Sequence, residues 1–156
     1  DWGNDRVQVF DFAGGYIDAW TLRGTTAGEL ASPTGILVDA DDNVWVVDRG
    51  NHRVLKLTRD GEVLSVLGSE GYAEGQFYVP TSIAIDKHGN VYVSEVDNHR
   101  VQVFDSSGEY LSQVAAGILN GPHGLAFDSE GNLYLADTGH GYVRKFSPID
   151  PSSGDR

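Results

Sequence analysis

Asn51-His52-Arg53-Val54 and Asn98-His99-Arg100-Val101 stand 47 residues apart, and Asn4-Asp5-Arg6-Val7 lies another 47 back. Other landmarks keep the same step. Gly14, Gly61 and Gly108 align, as do Gly24 with Gly71, Gly28 with Gly75 and Pro33 with Pro80. From Pro80 to Pro122 the step is 42, because the third connection is five residues shorter. The register then resumes through Asp39, Asp86 and Asp128, through Asn43, Asn90 and Asn132, and through Asp48, Glu95 and Asp137. Self-similarity at such a period marks a supersecondary unit that buries its apolar face only by stacking on its neighbours.

The unit can be read from the middle copy. Residues 81–85 are a short apolar run after a proline, and Asp86-Lys87-His88-Gly89-Asn90 is a turn. Gly and Asn supply the positive φ that such a turn needs, and Asp closes an Asx turn. Residues 91–94 are β-branched and aromatic, 100–104 alternate polar and apolar, and 109–114 follow the turn at Asp105-Ser106-Ser107-Gly108. Four short antiparallel strands in this length form one blade of a β-propeller. No window carries a helical period. The sequence therefore predicts an all-β propeller of four-stranded blades, with a little over three blades in the chain.

The predicted arc covers 1–147, in blade parts 4–22, 33–68, 80–114 and 122–147, followed by a polar tail at 148–156. It opens on the third and fourth strands of one blade (6–10 and 16–22) and closes on three strands of another (123–127, 132–136 and 142–146). Propellers use roughly four to eight blades, and an open arc leaves apolar faces and strand edges uncovered. The arc is expected to belong to a six-bladed ring. Either a second copy closes it head to tail, or the chain continues. In the homodimer, 4–10 and 140–146 are equivalent segments competing for one slot. The chain starts Asp1-Trp2-Gly3 and holds no methionine, so it is read as processed or as an excerpt of a longer protein.

Of the 156 residues, 23 are Asp or Glu and 11 are Lys or Arg, for a net charge of −12. That balance excludes nucleic acid as the expected partner, since phosphate neutralisation needs a basic surface, and it disfavours an anionic membrane surface. No apolar run is long enough to span a bilayer as a helix. With no cysteine, disulfides and thiolate metal sites are excluded. The redox compartment stays open, with an extracellular or periplasmic location the working expectation.

The blade pattern of Pro, an apolar strand, Asp-x-x-Gly-Asn, Val-Tyr-Val, Asp and then Asn-His-Arg-Val-Gln-Val-Phe resembles the NHL repeat, as does the connection Gly71-x-x-x-Gly75-Gln76-Phe77-x-x-Pro80. The resemblance covers about 3–147. It implies a propeller fold; because every strong signal is periodic and no nucleophile–base arrangement stands out, the chain is read as a non-catalytic scaffold that binds a protein or a small polar ligand through a charged loop rim. The closing blade, with Pro122-His123-Gly124 and Leu133-Tyr134-Leu135-Ala136-Asp137, is also similar to the peptidyl-α-hydroxyglycine amidating lyases of this class. That likeness implies an alternative: a zinc-dependent lyase or a fragment of one, with His123 as a channel ligand. Thr81 stands where a second Pro-His motif would be expected.

Residues present in every copy are most simply architectural, and residues that break the period are the better site candidates. Asp48 with Arg53, Glu95 with Arg100 and Asp137 with His140 are expected to pair locally. His52 and His99 are read as structural, and Trp45, which replaces Tyr92 and Tyr134, as core. Three features break the period. His123 follows the strand-opening proline where Thr34 and Thr81 stand, and an imidazole at the mouth of the central channel suits a metal (zinc or calcium) or acid–base work. His140-Gly141-Tyr142 replaces Asn-His-Arg. Tyr72 and Tyr78 occupy a connection whose counterparts are Thr25 and Ala31. The loops before the first strand and between strands two and three open on one face. His123, Asp48, Glu95, Asp137, Arg53, Arg100, His140 and Tyr72 are therefore the candidate ligand-binding residues of one charged rim.

Overall fold

A computed structural model of the chain describes residues 1–22 and 27–148. It contains thirteen strands among those residues. They are β1 (Val7–Phe10), β2 (Tyr16–Trp20), β3 (Pro33–Val38), β4 (Val44–Asp48), β5 (Arg53–Leu57), β6 (Val63–Leu67), β7 (Pro80–Ile85), β8 (Val91–Glu95), β9 (Arg100–Phe104), β10 (Tyr110–Val114), β11 (Pro122–Phe127), β12 (Leu133–Asp137) and β13 (Tyr142–Phe146). Among the described residues every pairing between strands is antiparallel and joins chain neighbours, giving sheets β1-β2, β3-β4-β5-β6, β7-β8-β9-β10 and β11-β12-β13. The chain is thus an all-β propeller arc of two complete blades between two partial ones. The predicted tail at 148–156 lies outside the described residues except for Pro148, as do Gly24 and Thr25. Among the described residues no helix is long and apolar enough to cross a membrane.

The periodic turns have the geometry that their residues favour. Asp39, Asp86 and Asp128 each accept backbone N–H groups of the turn that follows and the side-chain amide of Asn43, Asn90 or Asn132. Asp39 also accepts Trp45 Nε1 at 2.9 Å, with Lys56 Nζ at 3.2 Å. Burial would raise the Asp39 pKa, but these donors outweigh it and hold the carboxyl well below the usual range. In the next blade burial and the Asp86 carboxylate push the Tyr92 hydroxyl up to about 12.

The core lies between blades. One cluster joins Leu22, Leu30, Val44, Val46, Leu55 and Leu57 between the first two sheets. A second joins Trp45, Val47, Val54, Leu67, Phe77, Ile83, Val91, Val93 and Phe104. A third joins Tyr92, Val101, Val103, Val114, Leu119, Leu133 and Leu135. Strands with neighbours on both faces (β4, β8) are buried along their whole length, whereas β1, β2 and β13 are not. The uncovered ends carry Phe10, Phe12, Tyr16 and Ile17 on one side and Tyr142 and Val143 on the other.

Candidate functional site

The rim is built from a clamp repeated in each blade. Asp48, Glu95 and Asp137 end the second strands and are fully buried. One oxygen of each accepts a backbone N–H from the connection that leads into the blade: Ala31 N at 2.7 Å, Tyr78 N at 2.8 Å and Asn120 N at 2.8 Å. Arg53 Nε reaches Asp48 at 2.7 Å and Arg100 Nε reaches Glu95 at 2.6 Å. The same guanidinium groups donate onward to the connection's carbonyls, Arg53 to Ala27 and Glu29, Arg100 to Tyr72, Ala73 and Gln76. Asp1 with Arg6 repeats the pair at 2.7 Å. In the complete blades Asp48, Glu95, Arg53 and Arg100 are consumed in ordering the connection, which is what a buried charge requires.

The last blade keeps the clamp with a displaced arginine. Tyr142 occupies the position of Arg53 and Arg100, and Arg144, two residues on and on the same strand face, donates Nε to Asp137 at 2.6 Å and Nη2 to the Ile118 carbonyl at 2.9 Å. His140 Nδ1 lies 3.0 Å from the same carboxylate. Burial would raise Asp137, yet Arg144, the Asn120 N–H and His140 together lower it. The sequence reading paired Asp137 with His140 and missed Arg144, whose alternation with Tyr142 along the strand was the available signal.

The histidines of the repeat act between blades. His52 Nδ1 accepts Val79 N–H at 3.0 Å and His99 Nδ1 accepts Gly121 N–H at 2.9 Å. Asp5 does the same for Ser32 N–H at 2.7 Å. Asp5, His52 and His99 all have φ between 51 and 53°, and their acceptors' partners Ser32, Val79 and Gly121 are left-handed as well.

What the clamps leave accessible is mostly aromatic. Tyr72 is exposed and stacks on Tyr78 at 5.1 Å, which stacks on His52 at 5.0 Å. His140 stacks on Tyr142 at 5.6 Å, with the Arg144 guanidinium 4.9 Å from the same ring.

The inner strands β3, β7 and β11 lie side by side, and each carries a bulge just after its proline. Bulges re-aim side chains, and here they bring Thr34, Thr81 and His123 to one hollow of about 490 Å³, which Gly35, Ser82, Gly124, Trp2 and Arg49 also line. His123 thus sits in the hollow at the inner strands. Trp2 and Arg49 are additions to the predicted set. They occupy one repeat position, followed by Val96 and Thr138 in the later blades, and that fourfold difference was the signal that could have found them. The surroundings of His123 do not fit zinc or calcium. The hollow offers one imidazole, hydroxyls and a guanidinium, and no carboxylate, whereas a catalytic zinc takes about three protein ligands and calcium about six oxygens. Among the described residues no group of three His, Asp or Glu side chains is placed to hold a metal ion.

No curated protein sequence matches the chain. Solved structures match its fold. A streptogramin B lyase structure is 16% identical with a TM-score of 0.68, covering 96% of this chain and 50% of its own. A catalytically inactive variant of virginiamycin B lyase from Staphylococcus aureus, with quinupristin, is 17% identical with a TM-score of 0.67, covering 96% and 51%. A protein of unknown function from Bacteroides thetaiotaomicron is 20% identical with a TM-score of 0.74, covering 92% and 42%. The chain thus spans about half the length of these relatives, and at such identities the likeness is one of fold alone. The NHL repeat model matches residues 30–57, 77–104 and 119–146, which contain the first three strands of each of the last three blades and the buried carboxylates Asp48, Glu95 and Asp137, and the chain belongs to the NHL repeat family.

Proposed function

We propose that this chain is an arc of a larger propeller ring that acts as a non-catalytic scaffold, binding a protein or a small polar ligand through the rim that bears Tyr72, His140 and His123. The observation that carries this reading is the division of labour among the rim residues. Asp48, Glu95, Asp137, Arg53 and Arg100 are spent on the clamps, while the groups left accessible are aromatic rings and the lining of one open hollow. Aromatic side chains give large contact area at low entropic cost and are enriched at binding hot spots. A ring of six blades, closed by a second copy or by further chain, accounts for the apolar ends.

Selection of peptides from a displayed library against the purified chain tests the reading. Selected peptides should lose at least tenfold in affinity for Tyr72→Ala or Tyr142→Ala and keep it for Lys87→Ala on the opposite turns. Peptides that map to Lys87, or none binding below millimolar, would overturn it. An enzyme reading, a lyase-type fragment with His123 as a channel ligand, draws on the position of His123 in the hollow and needs ligands beyond the described residues. Its test is zinc content. Less than a tenth of an equivalent in metal-replete purified protein sinks it, and near one equivalent lost in His123→Ala supports it.

A further inference from the structure

We infer that the hollow at the inner strands is a site for an organic carboxylate joined to an aromatic or apolar body. The inference rests on the scaffold reading and names the ligand class that the rim would take. Its first support is Arg49. Arg49 is half-buried and lines the hollow, and no hydrogen bond or ion pair to its guanidinium occurs among the described residues. The clamp arginines Arg53, Arg100 and Arg144 are each tied to a buried carboxylate. A free guanidinium fork presents parallel N–H donors that match a carboxylate two to two.

The second support is the surrounding chemistry. Asp and Glu outnumber Lys and Arg by 23 to 11 in this chain, yet among the described residues no acidic side chain lines the hollow. Ser82 Oγ accepts the Leu125 N–H at 3.2 Å and keeps its own proton to donate. His123 is exposed beside it and adds an imidazole. Trp2, also exposed, supplies a flat apolar wall suited to a ring or an alkyl group.

The third support is the pattern of variation. Arg49 stands at the position of Trp2, Val96 and Thr138, and His123 at that of Thr34 and Thr81. Trp2, Arg49 and Thr138 each open a short 3-10 turn, and Pro33, Pro80 and Pro122 each precede a bulge, so the local backbone recurs while the side chains differ. A frame held constant under a varied lining is what a ligand-specific pocket needs, and a purely architectural position would repeat. The same carboxylate chemistry arises in a free organic acid and at the C-terminus of a peptide, and the test separates them.

The test is calorimetric titration of the whole chain with N-acetylphenylalanine, its amide, and a peptide ending in phenylalanine. The expected result is millimolar or tighter binding of the acid, at least tenfold weaker binding of the amide, and a tenfold loss in Arg49→Gln with the unfolding midpoint unchanged. Trp2→Ala should weaken the acid several-fold. Acid tighter than peptide assigns the free acid as the source, and the reverse assigns the C-terminus. Equal binding of acid and amide, or full binding by Arg49→Gln, would overturn the carboxylate site while leaving rim binding intact. No binding of any probe at 10 mM would overturn the site as well. The peptide selection then decides separately whether the scaffold reading stands.

Discussion

The imidazole of His52 accepts the backbone N–H of Val79 at 3.0 Å, so a side chain in the loop between strands two and three of one blade holds the lead-in to the next. His99 and Gly121 repeat the contact, and Asp5 makes it to Ser32 with a carboxylate. What the position requires is an acceptor on a residue that tolerates a left-handed backbone. His52→Asn should therefore cost little, whereas His52→Leu should cost about 1–2 kcal/mol by leaving the Val79 N–H unpaired. Urea unfolding of the two variants checks this. Equal losses would show that the acceptor is not what matters.

Val79 is β-branched and sits at φ 54°, where the equivalent Gly121 sits at 60°. The left-handed conformation costs an L-residue about 1–2 kcal/mol, and glycine returns part of that gain as chain entropy. Val79→Gly should hold or raise stability, and Gly121→Val should lower it by about 1 kcal/mol or more. A large loss in Val79→Gly would mean that packing of the Val79 side chain outweighs the strain.

Asp137 tests the displaced clamp. Arg144→Leu removes the guanidinium from a fully buried carboxylate and should cost about 2 kcal/mol, with His140 and the Asn120 N–H still in place. Adding Tyr142→Arg to Arg144→Gln rebuilds the arrangement of the first two blades and should recover most of the loss. Failure to recover would mean that Tyr142 is required where it stands.

Among the described residues four carboxyls carry lowered values for identifiable reasons. The Ser107 hydroxyl and turn N–H groups lower Asp105, and the Asn132 amide lowers Asp128. At Asp39 and Asp137 burial opposes the shift and is outweighed by donors. Folded values below the unfolded value of about 4 mean stability that is complete above that pH and lost as pH falls through the folded values. The urea midpoint should fall steeply below pH 4, and Asp39→Asn should flatten part of that fall. A midpoint unchanged at pH 3 would contradict these assignments.

Phe10, Phe12, Tyr16, Ile17, Tyr142 and Val143 are exposed at the two ends of the arc. Light scattering at several concentrations should return a mass near twice 16.9 kDa if a second copy covers them. A stable mass of 16.9 kDa sinks the closed dimer and leaves continuation of the chain as the way to cover the ends.

Much of this fold was legible because each blade states the same solution again. Proline, turn glycine and alternating strand recur at a fixed step, so the strand list follows from the period. The site was less legible for the same reason. Asp48, Glu95 and Asp137 look like rim charges in sequence, and only the fold reveals that their backbone partners come from a connection 17 residues earlier. Arg49 follows directly on Asp48, but its sharing one hollow with His123 depends on the bulges in three inner strands that sequence spacing does not report.

The central claim is that residues common to the blades hold the fold, while those that break the period are free for a ligand. Thermal unfolding of His99→Leu and Arg49→Gln, side by side, tests it most directly. The account predicts a midpoint lowered by about 3 °C in His99→Leu, from the loss of one half-buried hydrogen bond worth about 1 kcal/mol, and an unchanged midpoint in Arg49→Gln. An Arg49→Gln chain that unfolds as early as His99→Leu would contradict it, because Arg49 would then be part of the architecture.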